Sequence, residues 1–275
     1  MIAFWLYSWY IQPNCMRKSA ITLLGVQLDR GTFNDIIALC KEWLTEPHST
    51  FHRIVTINPE FVMEAQHNER FREVLNTADV RITDGVGLVI GSLFLEGLRD
   101  RLHRCTGVDL TWKLAGLCYL FQKKMFLIGA CDGIAQNVSQ RAAHMIEKKY
   151  PGVIAGAQEC LSRGVGEESD SVSKAVCEQI CTTNADVLLV AIGAPKQDLW
   201  IARYQALLPS VRIALGAGGT LDYIAGVVPR APRPIRKLGF EWLYRLAHQP
   251  RRWNRIITAT VRYPIALIKQ KLHNI

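Results

Sequence analysis

The sequence predicts an α/β protein with a Rossmann-like, doubly wound and mostly parallel sheet, followed by a basic helical C-terminal appendage. Apolar runs of strand length alternate with helical patterns over residues 20–229, and 49% of all residues are hydrophobic, which is enough for a large core. From residue 230 the pattern becomes first proline-rich and then basic and helical. We therefore divide the chain into an extension of unclear role, 1–19, the core, 20–229, and the appendage, 230–275.

Seven apolar runs in the core have the length and composition of buried strands. They lie at 20–28, 53–58, 79–83, 124–130, 152–157, 186–194 and 211–219. Helical patterns lie between them, at 32–45, 60–77, 86–97, 108–121, 133–149, 168–183 and 195–207. Apolar strands that alternate with helices are typical of a parallel sheet covered on both faces, which is the basis for the doubly wound prediction.

Two helical patterns in the appendage follow a proline-rich linker at 226–239. Apolar residues recur at helical spacing in FEWLYRLAHQ and in RRWNRIITATVRYPIALIKQKL, and we expect Pro264 to kink or interrupt the second helix. Apolar faces flanked by arginines are typical of helices that lie on an anionic bilayer. The same periodicity also fits a helical pair that packs on the core and exposes a basic face to solvent.

The net charge of +9 comes from the appendage. Residues 230–275 contain eleven Lys or Arg and one acid, Glu241, whereas the rest of the chain carries a net charge of −1. A neutral core with a concentrated basic tail indicates a polyanionic partner, which could be a membrane surface, a nucleic acid or a phosphorylated ligand.

The eight cysteines lack the spacing of a metal site, and Cys177 and Cys181 are only neighbours on one helix. We expect reduced thiols in a cytoplasmic protein and no structural zinc. No run approaches the ~20 apolar residues of a membrane-spanning helix. The N-terminus has neither a leading positive region nor a small-residue cleavage site, so it is a poor signal peptide.

Asp84 is the sharpest single candidate for a catalytic residue. It ends a predicted strand and precedes Gly85, at the edge of the sheet where α/β proteins bind ligands. A carboxylate there could take a proton from an attacking hydroxyl group. It could equally cap the helix that begins at Val86, because aspartate is a good N-cap.

Three other stretches carry candidate binding groups. Thr56 and Asn58 end the preceding strand, and Asn58 could also be a plain helix cap. Gln197 stands in the first turn of a helix whose free N–H groups suit a phosphate. Neither a Gly-x-Gly-x-x-Gly motif nor a P-loop is present, so a nicotinamide oxidoreductase lacks its usual fingerprint. Arg245, Arg252 and Arg255 are spaced seven and three apart, which places them near one face of a continuous helix. There they could clamp a diphosphate, or they could form a solvated or headgroup-binding face.

These stretches together are similar to the WecG/TagA/CpsF family, glycosyltransferase family 26. The resemblance covers about residues 20–258 and rests on the order and spacing of several motifs. The motifs are TINPE, ADVRITDGVGLV, RCTGVDL, AIGAPKQD, GAGGTLDYIAG, RAP and FEWLYRLAHQPRRWNR. Two departures are PKQD in place of PKQE, and AQECLSRGVGEESD, at 157–170, in place of a DGYF-like turn.

The resemblance implies an inverting transfer from a UDP-sugar to the 4-hydroxyl of a sugar on undecaprenyl diphosphate, without a metal ion or other cofactor. It implies peripheral attachment to the cytoplasmic face of the bacterial inner membrane through anionic lipid, and no nucleic-acid partner. Asp84 would be the base. The binding residues would be Thr56, Asn58, Arg104, Gln197, Arg245, Arg252 and Arg255.

Several alternatives stay open at this stage. The expected donor is UDP-N-acetylmannosamine, with UDP-glucose or a UDP-uronic acid as the alternative. A more distant alternative is a non-catalytic Rossmann-like adaptor that uses the basic appendage for membrane or anion binding. The sequence also leaves open whether the protein forms a homo-oligomer.

Overall fold

A computed structural model of the protein describes residues 20–47, 50–97, 102–129, 137–159 and 170–273. The predicted extension at 1–19 and most of the region with the missing DGYF-like turn lie outside the described residues. Six parallel strands form the central sheet, in the order β4-β3-β8-β7-β5-β6, and β1 and β2 form a separate antiparallel pair. The strands are β1 Ala20–Leu23, β2 Val26–Asp29, β3 His52–Ile57, β4 Val80–Thr83, β5 Met125–Gly129, β6 Ile154–Gln158, β7 Val187–Ala191 and β8 Ile213–Gly216.

Helices connect the strands and continue into the C-terminal region. Those of the core are α1 Phe33–Thr45, α2 Pro59–Glu64, α3 Glu69–Asn76, α4 Val86–Glu96, α5 Gly107–Leu120, α6 Val138–Lys149, α7 Asp170–Thr182, α8 Lys196–Tyr204 and α9 Thr220–Ile224. Those of the appendage are α10 Arg233–Lys237, α11 Glu241–His248, α12 Trp253–Ile257 and α13 Tyr263–His273. Short 3-10 turns at Gln205–Leu207 and Pro250–Arg252 and a π turn at Thr258–Arg262 complete the described helical structure.

The predicted fold class is confirmed. Every residue of β5 and of β7 is buried, as expected for strands with helices on both faces of a parallel sheet. Because all six strands of the sheet run in the same direction, their carboxyl ends meet at one edge, and the helices that follow β3, β4 and β8 begin there.

The run at 20–28 is not one strand, contrary to the prediction. It folds into the hairpin of β1 and β2, with Leu24 and Gly25 in the left-handed conformation at the turn, at φ 50° and 77°. The hairpin is fixed beside β4 by Asp29, whose carboxylate accepts hydrogen bonds from the Arg81 backbone and guanidinium at 2.7 Å each.

The helix predicted at 60–77 is likewise two helices, α2 and α3. The side chain of Asn68 accepts a hydrogen bond from the Phe71 N–H and so starts a new helix. The helix predicted at 133–149 is present from Val138 to Lys149, and residues 133–136 lie outside the described part of the chain.

The appendage is helical, and it packs on the core with one face. Tyr263 and Leu267 are buried in one cluster with Leu88 and Leu102. The appendage also leaves large apolar side chains exposed, and these are Leu238, Phe240, Trp242, Leu243, Trp253, Val261, Ile265, Ile268 and Leu272. Features of both interpretations of the appendage are therefore present in the same helices.

Pro264 perturbs the last helix, as predicted. Proline has no N–H, and its ring clashes with the carbonyl of the residue four positions earlier, so it disrupts the regular α-helical hydrogen bonds of the preceding turn. The five-residue π turn, Thr258–Arg262, ends two positions before Pro264 and interrupts the α-helix. In the part of the chain that the structure describes, no helix is both long and apolar enough to span a bilayer.

Candidate active site

A large cavity of about 1330 Å³ lies between the carboxyl edge of the sheet and the appendage. Of the eight residues predicted from the sequence, seven line it, and Gln197 does not. The seven are Thr56, Asn58, Asp84, Arg104, Arg245, Arg252 and Arg255. They come from strand ends and from the appendage, so the sheet and the appendage together complete the cavity.

The end of β3 contributes two uncharged groups. The Thr56 hydroxyl donates to the Gly216 carbonyl at 2.9 Å, which ties β3 to β8 under the cavity. The Asn58 side chain accepts from the Phe61 N–H at 3.1 Å, so it caps α2 while it also lines the cavity. The cap alternative for Asn58 is therefore confirmed, and its contact with substrate stays a prediction.

Asp84 does not cap the helix that follows it. The N-cap of α4 is Gly85, at φ 141°, and no side chain caps this helix. The Asp84 carboxylate instead accepts a hydrogen bond from the backbone of Gly107, the first residue of α5. Burial raises the pKa of Asp84 to about 6, against the lowering effects of Arg104, the Gly107 N–H and Arg245. A carboxylate with a raised pKa at the floor of a cavity is suited to proton transfer near neutral pH.

This raised pKa predicts the pH dependence of the reaction. Only the ionised form of Asp84 can accept a proton, so kcat/KM should rise with pH through about 6 and then level off. Initial rates between acidic and neutral pH, at donor concentrations below KM, measure this rise in kcat/KM. A profile that is flat across that range would contradict the assignment of Asp84 as the base.

Arg104 connects Asp84 to the appendage. The backbone of Arg104 forms an isolated parallel β-bridge with the backbone of Thr83, which holds Arg104 beside the end of β4. Its guanidinium donates to the Arg236 carbonyl at 2.9 Å and pairs with Glu241 of α11. Glu241 is the one acid of the appendage, and its charge also acts to raise the pKa of Asp84.

Arg245 reaches from α11 across the glycine-rich turn after β8. Its guanidinium lies 4.9 Å from the centre of the Tyr223 ring and 3.8 Å from the Asp222 carboxylate. A Cβ atom on Gly219 would stand 2.2 Å from one of its terminal nitrogens. The absence of a side chain at residue 219 therefore lets the arginine cross the turn and face the cavity.

Gly219→Ala should displace Arg245. The backbone of Gly219, at φ −81° and ψ 18°, suits alanine, so the change acts through the arginine rather than through backbone strain. We expect the KM for the donor to rise by roughly tenfold, as for loss of one charge-assisted contact. Steady-state kinetics with varied donor measure this, and an unchanged donor KM would argue against Arg245 as a donor contact.

Arg252 and Arg255 complete the cationic wall. Arg255 pairs with Glu60 at the start of α2. Arg252 has no carboxylate within ion-pair distance among the described residues, and burial together with repulsion by Arg245 and Arg255 lowers its pKa to about 10. Three clustered guanidinium groups, one of them without a carboxylate at ion-pair distance among the described residues, have the chemistry to bind an anion with more than one negative charge.

Gln197 lies behind the cavity wall and is fully buried. Its side-chain oxygen accepts from the Gly218 N–H at 2.9 Å, and its side chain also interacts with the neighbouring carboxyl group of Asp198. The neighbouring Asp198 is also buried, and burial raises the pKa of its carboxyl to about 7. Gln197 thus holds the turn between β8 and α9, and a direct contact with a donor stays a prediction.

Four residues of the site were not among the predictions. Glu60, Asp222 and Glu241 each pair with one of the arginines, and the Tyr223 ring lies against Arg245. Glu241 had a signal in the sequence, because it is the one acid among eleven bases. The described residues contain no cluster of three or more His, Cys, Asp or Glu side chains that could hold a metal ion.

Comparisons with known proteins support a relationship over nearly the whole chain. The family model described as "Glycosyl transferase WecG/TagA/CpsF family" matches residues 21–275. A similar protein from Bacillus spizizenii is 33% identical over 220 residues, which is 79% of each chain. One from Staphylococcus aureus strain MRSA252 is 28% identical over 253 residues, 92% of this chain and 94% of the other. Both are named N-acetylglucosaminyldiphosphoundecaprenol N-acetyl-beta-D-mannosaminyltransferase.

Proposed function

The chain belongs to the WecG/TagA/CpsF family and is a glycosyltransferase, and from this premise we propose that it transfers N-acetylmannosamine from UDP to a lipid-linked sugar. The acceptor would be an undecaprenyl-diphosphate-linked sugar, attacked through its 4-hydroxyl group. The names of two relatives, which specify an N-acetylmannosaminyl group and an N-acetylglucosaminyl acceptor on diphosphoundecaprenol, support both choices.

The observation that carries the proposal is the position of Arg252 in the cavity. An unpaired guanidinium between Arg245 and Arg255 is unfavourable in the empty protein, because like charges repel in a partly buried site. A diphosphate would relieve this repulsion and accept bidentate hydrogen bonds. Asp84 lines the same cavity, so the base and the diphosphate clamp can act on one substrate pair.

In the proposed step, Asp84 removes the proton from the acceptor hydroxyl while its oxygen attacks the anomeric carbon of the donor. A carbon–oxygen bond forms on one face of the sugar, and the bond to UDP breaks on the opposite face, so the configuration inverts. UDP leaves with the bonding electrons, and Arg245, Arg252 and Arg255 stabilise its developing charge. Arginines would thus supply the charge stabilisation that a metal ion supplies in other enzymes.

The same proposal includes attachment to the cytoplasmic face of the membrane through the appendage. Its exposed apolar side chains and its eleven bases lie in the same 46-residue segment, 230–275, and this combination suits an anionic lipid surface. The lipid-linked acceptor would be met at that surface.

The experiment that tests the function is UDP release from a panel of UDP-sugars, with a short-chain polyprenyl-diphosphate N-acetylglucosamine as acceptor and EDTA present. The panel contains UDP-N-acetylmannosamine, UDP-glucose and a UDP-uronic acid. Acceptor-dependent release confined to the first donor is the expected result. Release confined to another UDP-sugar would show that the donor is that sugar nucleotide. Release that occurs without EDTA and is lost when EDTA is present would contradict the metal-independent step.

A further inference from the structure

The cavity extends beyond the arginines into an apolar groove, and this part has no role in the transfer step described above. Small-molecule sites are typically about 300–1,000 Å³, so a cavity of about 1330 Å³ leaves room beside a nucleotide sugar. We define the apolar groove by side chains of α4 on one wall and of the C-terminal helices on the other. They are Ile90 and Phe94 of α4, and Ile256, Ala259, Leu267 and Ile268.

The floor of the groove is a close contact between two helices. A Cβ atom on Gly91 would stand 2.4 Å from the Tyr263 hydroxyl and 2.8 Å from a methyl carbon of Leu267. Tyr263 is 1% exposed, lines the cavity, and has no hydrogen-bond partner for its hydroxyl within the described structure. A buried hydroxyl without a partner is uncommon, because desolvation costs free energy that no hydrogen bond offsets.

The threonine hydroxyl groups of the π turn are hydrogen-bonded within the helix, so they add little polarity to the wall of the groove. The Thr260 hydroxyl donates to the Ile256 carbonyl at 2.7 Å, and the Thr258 hydroxyl donates to the Asn254 carbonyl at 3.0 Å. Both hydroxyl groups are therefore satisfied by the helix itself. A ligand in this part of the cavity would meet mainly hydrocarbon.

The charged side chains that line the cavity lie toward one end of the groove. Arg252 and Arg255 stand at one end, and the other end opens beside Ile268, which is exposed. Ile268 is sixteen positions after Arg252, which corresponds to roughly 24 Å of helix. At the far end Lys271 donates to the Phe94 carbonyl at 2.7 Å, which holds α13 against α4. The shape and charge fit a ligand with an anionic head and a long apolar chain.

We propose that the apolar groove binds the first isoprene units of the polyprenyl chain of the acceptor, with the acceptor's diphosphate at the cationic end of the groove, beside the diphosphate of the donor. This inference rests on the proposed function and adds a chain-binding subsite to it. The continuity of the groove with the unpaired Arg252 favours the acceptor chain over a bulk membrane lipid, because an ordinary lipid chain has no reason to start at the diphosphate clamp.

The first test is photo-cross-linking with a short polyprenyl diphosphate that carries a diazirine on its terminal isoprene. The probe is added to the full-length protein without membranes, and labelled peptides are mapped. We expect labelling within 86–97 and 256–268, competed by unlabelled polyprenyl diphosphate. Labelling confined to the exposed outer face, at residues such as Leu243 and Trp253, would overturn the proposal in favour of surface lipid contact.

The second test compares acceptors that differ only in chain length. For the wild type, kcat/KM should rise by roughly tenfold or more from the shortest to the longest chain, because chain carbons leave water. Ala259→Trp, which fills the groove, and Ile90→Ser, which makes its wall polar, should bring this ratio close to one. Ala206→Trp is the matched control on an exposed turn and should keep the wild-type ratio.

The two tests separate the groove from the proposed function. Turnover with no dependence on chain length, in the wild type and in both groove variants, would overturn the groove and leave the function standing. Cross-linking within the groove without transfer from any UDP-sugar would overturn the function and leave the groove standing. Thermal unfolding of each variant identifies one that has simply failed to fold, and Ile90, which is 59% exposed, is the safer position.

Discussion

Asp84→Asn is expected to reduce turnover by roughly 10²–10⁴, the usual contribution of a general base. Asparagine keeps the size of the side chain and removes its ability to accept the proton. The clamp arginines are untouched, so binding of UDP, measured by calorimetry, should be retained within a few fold. Loss of UDP binding together with turnover would mean that Asp84 shapes the donor site instead of acting as a base.

The same substitution should not destabilise the protein at neutral pH. The folded-state pKa of Asp84 is about 6, above the value of 3.8 expected in the unfolded chain, so ionisation costs stability as pH rises between these values. Above pH 6 this cost is on the order of 3 kcal/mol, and asparagine does not incur it. Melting temperatures at pH 7.5 should therefore be equal or higher for the variant.

Asp109→Asn is the matched control, because it makes the same chemical change with the opposite expectation. Hydrogen bonds from Arg230 and Thr106 lower the pKa of Asp109, so its charge stabilises the fold at neutral pH. The control should lower the melting temperature and keep most of the turnover. The pair thus separates a carboxylate held for catalysis from one held for stability.

The sheet was predictable because burial on both faces leaves unbroken apolar runs in the sequence. The hairpin of β1 and β2 was not, because its turn places Leu24 at φ 50°, a conformation that leucine rarely adopts. Long-range contacts hold it there. The Leu24 N–H donates to Gln270 at 3.1 Å, and its carbonyl accepts from Gln66 at 2.7 Å. Local sequence signals carry no information about such contacts.

The candidate site also contains residues that the sequence predicts and residues that depend on long-range contacts. Thr56, Asn58 and Asp84 could be placed together because the ends of parallel strands meet at one edge. The carboxylate partners of the arginines could not, because the pairing of Arg255 with Glu60 joins residues 195 positions apart. These pairs depend on how the appendage packs over the edge of the sheet, and no local sequence pattern specifies that packing.

The paired arginines suggest how the empty site stays stable. Arg104, Arg245 and Arg255 each have a carboxylate partner, Glu241, Asp222 and Glu60 respectively. A partly buried guanidinium without a counter-charge is costly, and these acids offset that cost before substrate arrives. In the proposed complex a diphosphate would replace these carboxylates as the partner of the arginines, so the net gain in affinity would come mainly from Arg252, which has no carboxylate partner among the described residues.

Arg252→Ala should therefore have the largest effect of any single clamp substitution. We expect kcat/KM for the donor to fall by roughly 10²–10³, the range for loss of one preorganised group that stabilises developing charge. The melting temperature of the protein without substrate should not fall, because alanine removes the buried charge and the repulsion by Arg245 and Arg255 that together lower the pKa of Arg252. Stabilisation by added UDP, which is large when a ligand binds only the folded state, should shrink in parallel.

Arg262→Ala is the control that isolates the clamp from the charge of the appendage. Arg262 is exposed on the same helical segment, does not line the cavity, and its loss changes the net charge equally. If basic residues act only by attracting an anionic surface, the two variants should lose activity on vesicles to the same extent and show no difference with a water-soluble acceptor. A selective loss in Arg252→Ala with that acceptor, at unchanged melting temperature, would assign the effect to the cavity, because both variants lose the same charge and only Arg252 lines the cavity.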